Sequence, residues 1–294
     1  MNSGEITEIL RAEYCKMRKS RSFKLCLLAG VVFVILHSIY VYKNLYMQNE
    51  QRLLDITNTS NNGALNTEWY EMGILQGWIG TEPFSGYNNI FFLVFPLLAA
   101  VPYGVSLYYE QKKGLTANIE GGSMRQYYTS KYLMTFLSGG ISVSTPLVVS
   151  LIISACYLPA VGTDPLALQT MITNYDMFAD QFFDLPVLYA LIFIIIDFIV
   201  GGLFACMTLV ISGWCSNGII ALIFPTLLNA VLTRIVFNDE GFEGIRSFVP
   251  GYFINPSPEI TVCTPAGVVG SCTIMGLVLI GLYVLNVHAS CSYK

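Results

Sequence analysis

Long apolar stretches alternate with polar connections along this chain. Six stretches are each near or above the roughly 20 residues that a helix needs to cross the ~30 Å hydrocarbon layer of a membrane. They lie at about 23–42, 88–109, 132–158, 186–211, 217–237 and 264–287. None alternates as a membrane β-strand does. The pattern therefore predicts an all-α integral membrane protein, with six transmembrane helices in one domain over 1–294.

An amphipathic helix is predicted before the first span, over 5–22. Its apolar residues recur at spacings of three and four, which places them on one stripe; they are Ile6, Ile9, Leu10, Tyr14 and Met17. Charged residues, both acidic and basic, occupy much of the rest, and the basic ones suit anionic lipid headgroups. We expect this helix to lie along the inner membrane surface. The first span should be retained, because a long charged segment precedes it and no small-residue cleavage site follows.

The placement of charge predicts the orientation. The chain is 54% hydrophobic and only 12% charged, against about 25% charged in a typical soluble domain. Most of its 15 lysines and arginines precede the first span or lie in the connection 110–131. Because basic residues favour the cytoplasmic side, both termini are predicted to be cytoplasmic. We expect a multi-pass protein of a cell membrane, and specifically of a bacterial plasma membrane.

The opposite side carries three long connections, 43–87, 159–185 and 238–263. Within the first, the segment 67–79 is aromatic and apolar on one face. Tryptophan and tyrosine favour the membrane interface. The segment is therefore interpreted either as an interfacial helix on the outer leaflet or as a lid over a substrate exit.

The connection 110–131 is too polar to span the membrane and too long for a tight turn. Gly114 and the pair Gly121–Gly122 are expected to break its backbone twice, because glycine accepts dihedrals that other residues avoid. A short helix at about 115–120 is predicted between them. The connection is either a docking element for a soluble partner or an ordinary hydrophilic loop with inside-positive charge.

The same connection carries a sequence pattern, E-x-x-x-G followed by R-x-x-x-x-x-K. It consists here of Glu110, Gly114, Arg125 and Lys131, with Tyr128 beside them. Together with the amphipathic helix and the six spans, it resembles the permease subunit of type-2 ABC exporters. The likeness in architecture covers the chain, whereas the motif covers only 110–131. The proline often seen shortly before the arginine is absent.

This resemblance implies a coupling loop at 110–131 that binds a separate ATPase subunit. Segment 5–22 would be the connecting helix and 238–263 an outer re-entrant segment. Family members combine two permease chains with two ATPases and export lipids, polysaccharides, drugs, ions or peptides. The implied partners are two ATPase copies, a second permease copy and the bilayer, and no nucleic acid is expected. The implied coupling residues are Glu110, Gly114, Leu115, Ile119, Arg125, Tyr128 and Lys131.

Motifs for chemistry on this chain are absent from the sequence. It has no phosphate loop of the form G-x-x-x-x-G-K-S/T, and no G-x-S-x-G or H-E-x-x-H. The eight cysteines and two histidines have no metal-ligand spacing, and a Cys156–Cys263 bridge is left open. We expect no catalytic site, metal or cofactor here, with ATP and Mg²⁺ on the partner subunit.

One acidic residue, Asp197, lies near the middle of the fourth span. A carboxylate there costs several kcal/mol unless it is paired or in contact with water. Its candidate partners are His37 in the first span and Asn229 in the fifth, and the three form a candidate substrate pathway. Asp197 is either a relay residue lining a cavity or a protonated group that joins helices by hydrogen bonds.

The function favoured by these features is export of a small amphipathic or hydrophobic substrate, such as a peptide, driven by ATP on another subunit. The alternative is a proton-coupled secondary carrier or channel that uses Asp197. No internal repeat supports a carrier. A membrane-embedded enzyme is disfavoured because no catalytic constellation is visible.

Overall fold

A computed structural model describes most of the chain, and its described part is built from helices. The described residues are 3–51, 54, 72–82, 85–114, 121–162, 172–173, 175–215, 217–237, 240–256 and 263–292. In chain order the helices are α1 Ser3–Lys19, α2 Arg21–Tyr40, α3 Ile74–Gly77, α4 Tyr87–Ala100, α5 Ser106–Lys112, α6 Gly121–Ala155, α7 Ala179–Asp184, α8 Pro186–Trp214, α9 Gly218–Phe237, α10 Pro250–Phe253 and α11 Pro265–Ser292. A π-helical turn, Val41–Tyr46, continues α2, and a 3₁₀ segment, Glu240–Phe248, precedes α10.

Five helices are long and apolar enough to cross a membrane. They are Arg21–Gln51, Met124–Ala155, Pro186–Trp214, Gly218–Val236 and Pro265–Val287. Each overlaps one predicted span. The prediction of an all-α multi-pass membrane protein is therefore confirmed at this level. The count of six spans and the cytoplasmic location of the termini stay predictions.

The second predicted span is not one continuous helix. Its first part, α4, has 14 residues, which is short of the roughly 20 that span a bilayer. The turn 101–105 separates it from α5. A Cβ atom on Gly104 would lie 2.5 Å from the Ala100 carbonyl oxygen and 2.8 Å from Thr208 Cγ2. Only glycine fits at this position, where the turn packs against α8.

Small residues bring the central helices close together. A Cβ atom on Gly139 of α6 would lie 2.6 Å from the Gly201 carbonyl oxygen of α8. A Cβ atom on Gly30 of α2 would lie 2.5 Å from Pro146 Cγ of α6. Such close approach is how helices associate in lipid, where burial of apolar surface gives little driving force. Helix α6 thus packs tightly against both α2 and α8.

Segment 72–82 is buried in the helix bundle. Trp78 and Ile79 are fully buried. Trp78 Nε1 donates to the Leu147 carbonyl oxygen at 3.0 Å, and the Ile79 backbone N–H donates to Ser150 Oγ at 3.0 Å. The predicted interfacial helix over 67–79 is therefore wrong for 72–79, because these side chains pack against α6 instead of lipid. Residues 67–71 lie outside the described residues.

The connection between α5 and α6 is shorter than 110–131. Helix α6 begins at Gly121, so Gly121–Gly122 form its first turn and do not break the chain. Gly114 does end the preceding helix, with a φ of 68°, a conformation that glycine adopts without strain. The predicted helix at 115–120 lies outside the described residues.

The bundle has two ends with different contents. One end, called here the N-terminal side, holds α1, the α5–α6 connection and the end of α11, where the Tyr283 hydroxyl lies 2.8 Å from Thr129 Oγ1. The other end, called the distal side, holds segment 72–82 and α10. There Asn255 Nδ2 donates to Asn88 Oδ1 at 2.9 Å. Cys156 and Cys263 are both free thiols, so no bridge joins them.

Candidate functional site

Four charged groups meet on the N-terminal side, at the base of the α5–α6 connection. Lys131 Nζ of α6 lies 2.7 Å from Glu110 Oε1 of α5 and 3.1 Å from Glu13 Oε2 of α1. Lys16 Nζ lies 2.5 Å from Glu13 Oε1 and 3.4 Å from Glu110 Oε1. Lys131 is fully buried, whereas Lys16 is about half exposed. These four residues are called the carboxylate–lysine cluster, in which two acidic and two basic side chains balance.

Two tyrosines complete the hydrogen bonding of this cluster. The Tyr103 hydroxyl donates to Glu13 Oε2 at 2.7 Å, and the Tyr127 hydroxyl donates to Glu110 Oε2. The Lys131 ammonium group also lies 4.8 Å from the centroid of the Tyr103 ring and 5.7 Å from that of Tyr127, within range of a cation–π attraction. A buried ion pair is stable only when its remaining donors and acceptors are satisfied, and these tyrosines satisfy several of them.

The electrostatics favour the charged forms of the groups on α1 and α5. Burial alone would raise the pKa of Glu110, but the ion pair with Lys131 and hydrogen bonds from Lys131 and Tyr127 outweigh it and lower that pKa. Burial alone would lower the pKa of Lys16, but its hydrogen bond and ion pair with Glu13 outweigh it and raise that pKa. The Glu110 carboxyl is therefore ionised at neutral pH.

Helix α1 places Glu13 in the cluster through its apolar stripe. Glu13 lies between Leu10 and Met17, which share its face at spacings of three and four. Met17 packs with Tyr103 and Met134. Sequence reasoning missed Glu13, as it missed Tyr103 and Tyr127. The available signal was an acidic residue within an apolar stripe, which is typical of a buried and paired group.

The predicted coupling residues separate into three groups. Glu110 and Lys131 come together, as described. Tyr128 is buried and packs in a cluster with Leu107 and Leu209. Arg125 is exposed, and no described ion pair joins it to the cluster. Gly114 has open space around it, and Leu115 and Ile119 lie outside the described residues.

The predicted partners of Asp197 lie elsewhere. His37 Nε2 is 3.3 Å from Glu82 Oε2, and both side chains are fully buried. Glu82 also accepts hydrogen bonds from the backbone N–H of Ser85 at 2.9 and 3.2 Å. Asp197 is itself fully buried, and neither of its carboxyl oxygens has a hydrogen-bond partner within the described chain. The expected pairing of Asp197 with His37 or Asn229 is therefore wrong for this conformation.

Asn229 instead lines a cavity whose wall is mainly apolar but carries six polar side chains, for which it is called here the polar cavity. The cavity has a volume of about 360 Å³ and is partly open to the outside of the bundle. Its polar lining comes from α4, α9 and the residues around α10, namely Asn89, Thr226, Asn229, Thr233, Arg234 and Asn255. Asn229 Oδ1 and Thr226 Oγ1 are buried and have no hydrogen-bond partner among the described residues. The hydrogen-bonding capacity of these two atoms is therefore unused within the described chain.

Fold and site together define the class of the chain as an all-α, multi-pass membrane protein. Comparison with protein-family models, with curated proteins and with solved structures finds no match for it. Its function is therefore inferred from the charge cluster, the buried acid and the polar cavity.

Proposed function

We propose that the chain is the permease subunit of an ATP-driven exporter of the type-2 ABC kind, with ATP and Mg²⁺ bound by a separate ATPase subunit. The observation that carries this proposal is the carboxylate–lysine cluster. It joins Glu110, before the α5–α6 connection, to Lys131, after it, at 2.7 Å. Glu13 attaches α1 to the same point at 3.1 Å.

This arrangement suits the transmission of force. Because both ends of the connection are attached to each other and to α1, a push on residues 113–120 displaces α1, α5 and α6 as one unit. Helix α6 packs closely against α2 and α8, and closely packed helices transmit strain. A partner that closes on the connection would therefore move the core of the bundle. In this proposal the coupling residues Gly114, Leu115 and Ile119 contact the ATPase, while Glu110, Tyr128 and Lys131 fix the ends of α5 and α6 on either side of them.

The polar cavity around Asn229 supports a two-copy assembly. Polar side chains in membrane segments almost always face a bundle interior or a water-filled cavity. In a single chain this cavity is partly open, and Arg234 at its rim is exposed. A second copy of the permease would enclose it. The amide and hydroxyl groups would then bind the polar part of a small amphipathic substrate, such as a peptide, on its way outward.

The proposal is tested by purifying the tagged chain from native membranes and identifying co-purified soluble proteins. We expect an ATPase with a phosphate loop. Gly114→Pro should abolish its capture, since proline fixes φ near −65° and Gly114 has a φ of 68°. The matched control is Gly86→Pro on the distal side, where φ is 72° and the surroundings are equally open.

Two results would contradict the proposal. One is a wild-type preparation with no such ATPase. The other is equal capture by both glycine variants, because the backbone change at Gly86 is of the same kind but far from the connection.

A proton-coupled carrier is the second candidate, and the buried, unpartnered carboxyl of Asp197 favours it. Such groups in membrane segments commonly mark proton relays. In this case, transport into vesicles would run on a proton gradient without ATP and would stop with Asp197→Asn. Under the permease proposal, transport requires ATP.

A further inference from the structure

An apolar groove runs along the bundle between α6, α8 and α11. Its volume is about 330 Å³, and its apolar lining includes Leu203, Cys206, Gly276, Leu279 and Ile280. The lining positions on α11 extend from Gly276 to Tyr283, a rise of about 10 Å at 1.5 Å per residue. The groove is thus elongated and runs parallel to helices that are long enough to span a membrane.

The absence of a side chain at Gly276 helps to open this groove. A Cβ atom built on Gly276 would meet nothing within 4 Å. Glycine in membrane helices commonly permits close contact with another helix, as Gly139 does between α6 and α8. At Gly276 no described atom occupies the space. The space is therefore open to an occupant from outside the chain.

The end of the groove towards the N-terminal side carries two hydroxyl groups and lies one helical turn from an arginine. Thr129 Oγ1 lies 2.8 Å from the Tyr283 hydroxyl, and both residues line the groove. Thr129 Oγ1 also donates to the Arg125 carbonyl oxygen at 2.8 Å. Arg125 lies one helical turn before Thr129 on the same face of α6, and its side chain is exposed. It has no ion pair among the described residues.

We propose that this groove binds one phospholipid, with an acyl chain between α6, α8 and α11 and the phosphate at Arg125. An apolar groove along helices long enough to span a membrane, with an exposed arginine one helical turn beyond its end, matches an amphiphile with an anionic headgroup. Basic residues beside a membrane span attract anionic lipids. The site is independent of the ATP-driven function, because it rests only on the groove and on the membrane location.

The test uses the full-length chain in phosphatidylcholine vesicles that contain phosphatidylglycerol with a diazirine in its acyl chain. We expect photocrosslinks in peptides that contain Cys206 and Leu279. Gly276→Leu should abolish them by filling the groove. Gly281→Leu is the matched control, because Gly281 also lies on α11 in open space but does not line the groove. Ile280→Trp fills the groove from its exposed rim, in case Gly276→Leu fails to fold.

A second arm tests the headgroup. Arg125→Gln should reduce the preference for phosphatidylglycerol over a phosphatidylcholine probe by about fivefold, the change that about 1 kcal/mol per basic residue produces. Crosslinks spread evenly over the lipid-facing helices and unchanged by Gly276→Leu would overturn the proposal. So would a loss of self-association in Gly276→Leu with lipid crosslinking intact, since a second copy of the chain would then be the occupant.

Discussion

Buried carboxyl groups occur in two contrasting settings in this bundle. In the carboxylate–lysine cluster, Glu13 of α1 and Glu110 of α5 meet two ammonium groups and two tyrosine hydroxyls contributed by α1, α6 and the turn 101–105. In the middle of α8, Asp197 is less accessible than Glu110, whose side chain is 15% exposed, and it has no hydrogen-bond partner in the described chain. Several chain segments converge on the two glutamates at the end of the bundle, whereas no described polar group lies within hydrogen-bond distance of the Asp197 carboxyl in the middle of α8.

The largest expected effect comes from removing the central cation of the cluster. Lys131→Met leaves the Glu13 and Glu110 carboxylates with only the half-exposed Lys16 as a cationic partner, and breaking a buried ion pair costs about 3 kcal/mol or more. We expect a correspondingly large fall in the thermal unfolding midpoint of the detergent-solubilised protein, followed by tryptophan fluorescence. Lys113→Met is the control, because Lys113 is exposed and has no ion pair among the described residues. Equal shifts in the two variants would show that the cluster contributes nothing to stability.

Acidification should weaken the same cluster. The pKa of Glu110 is lowered in the folded protein, so its stabilising effect is fully present above the unfolded value of about 4.3. That effect is lost as the pH falls through the folded value. Between pH 7 and pH 3, the wild type should therefore lose more thermal stability than Glu110→Gln, which has no carboxyl to protonate. If wild type and Glu110→Gln lost equal thermal stability between pH 7 and pH 3, this role of the Glu110 carboxyl would be contradicted.

The pair on the distal side should give an intermediate effect. His37→Phe removes a hydrogen-bond partner from the buried carboxylate of Glu82, which still accepts from Ser85. We expect the free energy of unfolding to fall by about 1 kcal/mol, which is typical of a removed hydrogen bond. The His37→Gln variant can still donate a hydrogen bond to Glu82, so it should lose less stability than His37→Phe. If glutamine and phenylalanine are equally destabilising, packing and not the hydrogen bond is responsible.

The smallest effect is expected at Asp197. Asparagine has nearly the same shape and carries no ionisable group, and no described hydrogen bond is lost. The free energy of unfolding of Asp197→Asn should differ from wild type by less than about 1 kcal/mol, the contribution of a typical hydrogen bond, since no described hydrogen bond is removed. A loss as large as that of Lys131→Met would show that Asp197 has a strong partner in the native protein.

The spans were predictable because a membrane helix depends on local composition over about 20 residues. The Glu110–Lys131 pair was partly predictable, since both residues belong to one sequence pattern. Glu13 was not, because two of the residues it contacts, Tyr103 and Lys131, lie on segments distant in sequence, and only an acidic residue on an apolar stripe marked it. A contact formed by three segments that meet only in the folded protein cannot be predicted from the sequence of any one of them.

Segment 72–82 is a case in which the sequence-based prediction was wrong. Tryptophan and isoleucine at spacings typical of an interfacial helix are equally suited to burial in a core. Composition alone does not separate the two environments, and here Trp78 donates a hydrogen bond to the Leu147 carbonyl oxygen inside the bundle. Composition also did not reveal which residue contacts Asp197. We expected His37, which instead pairs with Glu82 on the distal side.

The sidedness of the α5–α6 connection tests the central claim most directly, since an ATPase can act on it only from the cytosol. Lys113→Cys, in a chain whose native cysteines are replaced by alanine, would be treated with a membrane-impermeant maleimide on intact cells. Tyr175→Cys, at a highly exposed position outside the long apolar helices, provides the comparison. The account predicts that position 113 is labelled only after permeabilisation and position 175 in intact cells. Labelling of position 113 in intact cells would contradict it.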